Sequence, residues 1–233
     1  MNAGQHISHK FDEEVGEVTS LVLEMGGLVQ QQVERAVNAL STFDKVLAEK
    51  VIEDDIQVNT LDVKIDDLCN RIIVMRQPTA TDLRLIMAII KATNDLERIG
   101  DEAKRIARQA IDLAKRGALP DIFDSIEQMA ERVIEMLNKS LDAFARRDID
   151  EAFAVIGLDK KVDKNYKNLM RQQITYMMED PRKIHESLDL LWSARALERI
   201  GDRSCNICEY VIYLVKGKDV RHIDLKELKE HLD

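Results

Sequence analysis

Helix breakers are scarce in this sequence: 233 residues contain only 9 Gly and 3 Pro. These two residues are the least compatible with a helix interior, so a few long helices are expected. Aromatic residues make up 4%, which argues against a β-rich fold, because strands favour them. Three cysteines (Cys69, Cys205 and Cys208) are too few for a disulfide framework and suit a reducing compartment. The apolar run Leu85–Ile90 is far short of the roughly 20 residues that a membrane-spanning helix needs. Met1–Lys10 lacks the apolar stretch of a signal peptide. A cytoplasmic chain is therefore expected, peripheral to a membrane at most. Net charge is −9. That balance repels phosphate backbones and argues against nucleic acid as a partner, although solubility alone also accounts for it.

What is present is repetition. Asp95-Leu-Glu-Arg-Ile-Gly-Asp101 and Ala196-Leu-Glu-Arg-Ile-Gly-Asp202 match with Glu97 and Glu198 lying 101 residues apart. Upstream the offset is 104, pairing Met25 with Met129, Val33 with Leu137, Asp44 with Asp148, Val51 with Val155, Asp55 with Asp159 and Val58 with Val162. A loop around Pro78 and Pro181 would absorb the change of offset. The expected fold is all-α: two tandem, internally duplicated three-helix bundles, each up-down-up, over residues 1–117 and 118–233 with a short C-terminal tail. Helices are predicted over Phe11–Phe43, Asp44–Arg76 and Thr79–Arg116, then Asp121–Arg146, Asp148–Glu179 and Pro181–Lys216. Thr79-Ala-Thr-Asp82 resembles a capping box. Asp180-Pro181 reads as an N-cap with proline in the first helical position, and Gly117 and Pro120 part the halves. Helices of this kind run about 45 Å, and their short connections make neighbours antiparallel.

Helical periodicity then orients the acids. Leu85, Ile89, Leu96, Ile99, Ala103, Ala107 and Ala110 form one stripe, with Glu97 and Asp101 roughly opposite. Leu83, Ile86, Met87 and Ile90 lie earlier on that opposite side and need a cover, either the first helix or a second copy of the chain, so a homodimer is expected. In the second half Leu190, Leu197, Ile200, Cys208, Val211 and Val215 form the stripe, while Glu198, Asp202 and Asn206 stand to one side. The preceding helices add Asp55, Asn59, Asp62 and Asp66 in one half and Asp159 and Asp163 in the other. Asp163 and Asp159 lie 17 and 21 residues before Asp180, and Glu198 and Asp202 lie 18 and 22 after it. These four carboxylates should be level. In the first half, Asn59 and Asp55 match Glu97 and Asp101 in height, with Asp62 nearer the turn and Asp66 lower.

Level carboxylates repel, at about 4 kcal/mol for a pair 4 Å apart at an effective dielectric of 20. A metal cation held by hard oxygen donors would relieve this. So would pairing with Arg98 and Arg199, and at this level both readings stand. Gly100 and Gly201 cost about 1 kcal/mol each in a helix interior; they serve either close packing or room for an ion cluster. Cys205-Asn-Ile-Cys208 lies mid-helix with no preceding strand and reads as buried thiol rather than redox motif. The histidines (His6, His9, His185, His222 and His231) are scattered, and no Glu-x-x-His, phosphate loop or nucleophile–base pair is visible.

Arg76-Gln-Pro-Thr-Ala-Thr-Asp-Leu-Arg84, Asp95–Asp101, Tyr176-Met-Met-Glu-Asp-Pro181, Arg195–Asp202 and Glu209-Tyr-Val-Ile-Tyr-Leu-Val-Lys-Gly217 together resemble the PhoU family of bacterial phosphate-signalling regulators. The likeness runs from about Phe11 to His222. It implies two similar three-helix bundles with metal clusters on paired E(D)-x-x-x-D motifs, the ions being iron, zinc, magnesium or manganese. It also implies a non-enzymatic adaptor between the phosphate ABC transporter's ATPase and a sensor histidine kinase, repressing the phosphate-starvation response. The motif falls on Glu97/Asp101, Glu198/Asp202 and Asp159/Asp163. Asp62/Asp66 also fits it, whereas helical register favours Asp55, Asn59 and Asp62. The family often has Asn four residues after the motif's final Asp. Asn206 matches; Arg105 does not, so equal loading of the halves is not implied. A metal store or metal-dependent phosphohydrolase is the alternative function.

Overall fold

The computed structural model describes residues 3–116 and 124–221. They form six α-helices and, among the described residues, no strand: α1 (Ala3–Thr42), α2 (Lys45–Arg76), α3 (Ala80–Arg116), α4 (Asp124–Arg146), α5 (Ile149–Glu179) and α6 (Ile184–Lys216). The duplication extends into the caps. Asp44 accepts the Leu47 N–H at 2.9 Å, and its equivalent Asp148 accepts the Glu151 N–H at 3.0 Å. Each cap follows a residue in the left-handed region, Phe43 with φ 55° and Arg147 with φ 56°. Asp44 and Asp148 then donate backbone N–H groups back to Ala39 and Ala143, closing the preceding helix as a Schellman turn does. At α3 the start is closed by the Thr79 carbonyl, which accepts from the Asp82 and Leu83 N–H groups. Asp180 caps as expected, accepting the Arg182 N–H at 3.2 Å.

Two boundaries differ from expectation by more than a residue or so. Helix α1 begins at Ala3 rather than Phe11, and Pro181–Lys183 is a 3₁₀ turn that precedes α6. Gly117 and Pro120, and the tail after Arg221, lie outside the described residues.

The repeat pairs explain the core. Met25 and Met129, Val33 and Leu137, Val51 and Val155, and Val58 and Val162 are all buried. Helices α1, α2 and α3 pack on one another, as do α4, α5 and α6, and the two groups meet chiefly through α3 against α6, with α1 touching α4. One continuous apolar cluster runs through both. Burial narrows one expectation and corrects another. Ile86 is fully buried and Ile90 packs against the core, so the face opposite the α3 stripe is covered within the chain, leaving only Leu83 and Met87 partly exposed. Val215, in the last turn of α6, is exposed rather than part of the core.

The α3–α6 seam is also polar. Asp95 is buried on α3 and accepts from Arg203 Nη1 at 3.0 Å, Asn206 Nδ2 at 3.4 Å and Tyr210 Oη at 2.7 Å, all on α6. Buried Glu102 accepts from Arg105 at 3.2 Å on its own helix and from Arg199 at 3.4 Å across the seam. Arg116 pairs with Asp189 near one end, and Lys91 lies over the rings of Tyr210 and Tyr213 towards the other. The order of these contacts makes α3 and α6 antiparallel. Beside them, burial pushes the Glu209 carboxyl up to about 7, with Arg221 opposing the shift.

Two predictions follow from this seam. Tyr210→Phe removes a donor from a buried carboxylate and should cost about 1–3 kcal/mol in urea unfolding. Glu209 holds its proton more tightly folded than unfolded, so its stabilising contribution is full below about 4.5 and is lost as pH rises towards 7. Glu209→Gln should therefore be more stable than the parent at pH 8, by about 1 kcal/mol once solvent screening is discounted, and the gain should vanish by pH 4.

Candidate functional site

In the second half the four acids come from two antiparallel helices, Asp159 and Asp163 from α5 and Glu198 and Asp202 from α6. Burial and mutual repulsion both act on them. Asp159 is pushed up to about 6, first by burial and then by the charges of Asp202 and Asp163. Glu198 is raised by burial and then by Asp202, against the opposing Arg195, with smaller contributions from Asp163 and Asp159. Asp202 is open to solvent on one side, yet the protein packed around its carboxyl, and then Asp163, raise it despite Arg195, Arg203 and Arg199. Arg195 donates to Glu198 Oε1 at 2.6 Å, while Glu198 Oε2 is buried without a hydrogen-bond partner. An open cavity of about 430 Å³ is lined by Asp159, Asp202, Cys205, Asn206, Arg199 and Arg203. The Cys205 thiol faces these acids and is pushed up by burial and by Asp159, so it stays protonated; Cys208 is buried in the core and raised likewise.

The first half is built from the same positions and differs in content. Asp55 is buried on α2 and accepts from Gln32 Nε2 at 3.0 Å and Asn59 Nδ2 at 2.9 Å. It also accepts from Lys104 Nζ at 2.5 Å, and Lys104 reaches Asp101 at 2.7 Å. Burial works to lower the pKa of Lys104, but the bonds to Asp101 and Asp55 outweigh it and raise it. Glu97 is raised by burial, then by Asp101 and Asp62, with Lys104 opposing and Asp55 adding a little. Asp62 is raised by burial and then by Asp66, which is itself exposed. Asp55 and Asp62 thus both act on Glu97, as helical register requires, and Asp66 joins through Asp62.

Among the described residues, no three or more His, Cys, Asp or Glu side chains converge on one metal-holding point. The acids stand level without closing together. The donor chemistry and the unpartnered Glu198 oxygen fit a hard cation in the second half. In the first half an ammonium already sits among the carboxylates. Asn206 lines the second-half cavity, but its amide is tied to Asp95. Arg199, which could have neutralised the acids, instead binds Glu102 across the seam, and Arg98 is exposed. Sequence reasoning passed over Lys104, Gln32 and Arg195. Lys104 lies three residues after Asp101, within reach on one helix face, and that spacing was the available signal.

Comparison with known proteins bears on what this duplicated acidic bundle is. The family model described as "PhoU domain" matches twice, over residues 22–110 and 126–211. The chain belongs to the PhoU family. The two matched spans fall on α1–α3 and α4–α6 and each includes one acidic cluster. The phosphate-specific transport system accessory protein PhoU homolog of Pseudomonas aeruginosa is 50% identical over 228 residues, covering 98% of this chain and 94% of that protein. Its Escherichia coli K12 counterpart is 47% identical, covering 100% and 96%. The crystal structure of PhoU from Pseudomonas aeruginosa superposes with a TM-score of 0.87 at 50% identity, covering 89% of this chain and 100% of that one. The phosphate transport system regulatory protein PhoU from Streptococcus pneumoniae gives 0.84 at 31% identity, covering 90% and 99%.

The glycine of each motif packs towards the interior rather than towards open space for ions. A Cβ on Gly100 would come within 3.0 Å of Gln32 Oε1 and 3.3 Å of Asp55 Oδ1. At Gly201 the nearest atoms are Val162 Cγ1 at 3.7 Å and Met136 Cε at 3.8 Å, an ordinary contact. Gly201→Ala should therefore stabilise by up to about 1 kcal/mol through helix propensity. Gly100→Ala should destabilise, because Gln32 is itself buried and cannot yield without loosening its hold on Asp55. Thermal unfolding of the two variants decides this.

Proposed function

We propose that the chain is a non-enzymatic regulator of phosphate uptake, linking the phosphate ABC transporter's ATPase to a sensor histidine kinase and holding the phosphate-starvation response off when phosphate is plentiful. The observation that carries this reading is family membership across both repeats, with relatives of 50% identity named as accessory proteins of the phosphate-specific transport system. The fold suits such a role. No helix among the described residues is long and apolar enough to cross a membrane, and in this reading the chain works at the transporter by docking on its cytoplasmic side. Long rigid helices offer extended faces for that purpose.

The second-half carboxylates, Asp159, Asp163, Glu198 and Asp202, are the residues that would hold a metal ion. Bound there, iron, zinc, magnesium or manganese would supply positive charge. Without it, the face is a concentration of negative charge that an acidic partner surface cannot approach. Self-association through the still exposed Leu83 and Met87 belongs to the same reading, with a homodimer as the working assembly. The test is a phosphate-starvation reporter in a strain lacking the protein, with transporter and kinase intact, grown in high phosphate. The reporter is expected to be on and to fall silent when the chain is restored. Silence in the deletion strain sinks the regulatory reading.

A further inference from the structure

Two halves that descend from one unit and share the motif Leu-Glu-Arg-Ile-Gly-Asp differ at the residues that surround their acids. Lys104 bridges Asp55 at 2.5 Å and Asp101 at 2.7 Å, and its side chain is only 16% exposed. Gln32 and Asn59 occupy the remaining acceptor positions of Asp55. The repeat places Cys205 where Lys104 stands, and Met136 where Gln32 stands. Asp159, the equivalent of Asp55, therefore faces a neutral thiol and a methionine on those sides, and the cavity beside it is open. Gly100 fits the same account, since it permits the close approach of Gln32 and Asp55.

We infer that Lys104 is the resident cation of the first acidic cluster, so that this half takes up no divalent metal and the second half alone does. An ammonium already lies between Asp55 and Asp101, two of the carboxylates that a metal ion would use there. A divalent ion entering there would meet a fixed positive charge and would have to expel it from a mostly buried place. The four carboxylates of the second half carry a smaller internal offset: Arg195 on Glu198, with the guanidinium groups of Arg199 and Arg203 committed to α3. The inference rests on the metal reading above for the second half and makes a separate claim about the first.

Manganese alone serves as the probe. The full chain, purified without a metal resin and stripped with chelator, is dialysed to equilibrium against Mn²⁺, and the bound ion is measured by elemental analysis. Parent protein is expected to bind manganese, and Glu198→Gln/Asp202→Asn to lose nearly all of it. Adding Lys104→Ala to that double variant should restore binding, which Glu97→Gln/Asp101→Asn should again remove. Lys104→Arg on the same background should stay empty, because it keeps the charge. Lys104→Gln serves as a second neutral variant that retains a donor for Asp55, and circular dichroism reports folding of each. Manganese retained by Glu198→Gln/Asp202→Asn and removed by Glu97→Gln/Asp101→Asn overturns the inference while leaving the metal reading intact. Failure of both folded Lys104 variants to gain manganese also overturns it. A parent that binds none, beside a Lys104→Ala chain that binds in its first half, upholds Lys104 as the resident cation of the first cluster and refutes the metal reading for the second half.

Discussion

Like charges held level on antiparallel helices must be neutralised, and much of this molecule is arranged around that constraint. A pair of carboxylates 4 Å apart costs about 4 kcal/mol at an effective dielectric of 20. Short turns at Gln77–Thr79 and Asp180–Lys183 make the partner helices antiparallel, and the spacing of the acids from those turns then brings them to one height. Burial first, and then the charges of their neighbours, raise the carboxyls of Asp159, Glu198, Asp202 and Glu97. Lys104 relieves the repulsion in one half. The other half leaves it standing on an open face.

The seam between α3 and α6 decides which cations are free to help. Arg199 and Arg203 follow Glu198 and Asp202 on the same helix and lie near their charges. Their guanidinium groups instead satisfy Glu102 and Asp95, buried acids of the first half. A buried carboxylate without a partner costs more than an exposed one, so the seam has first claim on those arginines. The joining of the two repeats and the residual charge of the second cluster are thus one arrangement. Tyr210 and Asn206 complete the ring of donors around Asp95.

Much of this could be read from residue order, because the signals were local. Helix starts fell at Asp44 and Asp148, which cap α2 and α5 in the structure, and Asp180 is the cap its pairing with Pro181 suggested. Paired core positions such as Val58 and Val162 followed from the repeat, and acid height from counting outward from the turns. What could not be read was contact between elements distant in sequence. Asp95 and Glu102 appear as ordinary polar positions until α6 is placed against them. Ile86 appeared to need a cover from α1 or another subunit, and it is buried within the chain. Periodicity tells which side of a helix is apolar; it does not tell which helix will lie there.

Duplication explains why such small differences matter. Equal backbones place equivalent residues in equivalent surroundings, so exchanging three neighbours of one aspartate is enough to change the charge of a whole face. Around Asp55 stand Gln32 and Lys104, a donor amide and a cation. Around Asp159 the corresponding residues are Met136 and Cys205, neither of which offers a charge, and Asp163 stands where Asn59 does, adding a negative one. Caps, core pairs and the Leu-Glu-Arg-Ile-Gly-Asp motif are held in common, so the helices and their register survive the exchange. The result is one fold with two electrostatically different sides: one with a lysine set among its acids, the other with its acids beside an open cavity.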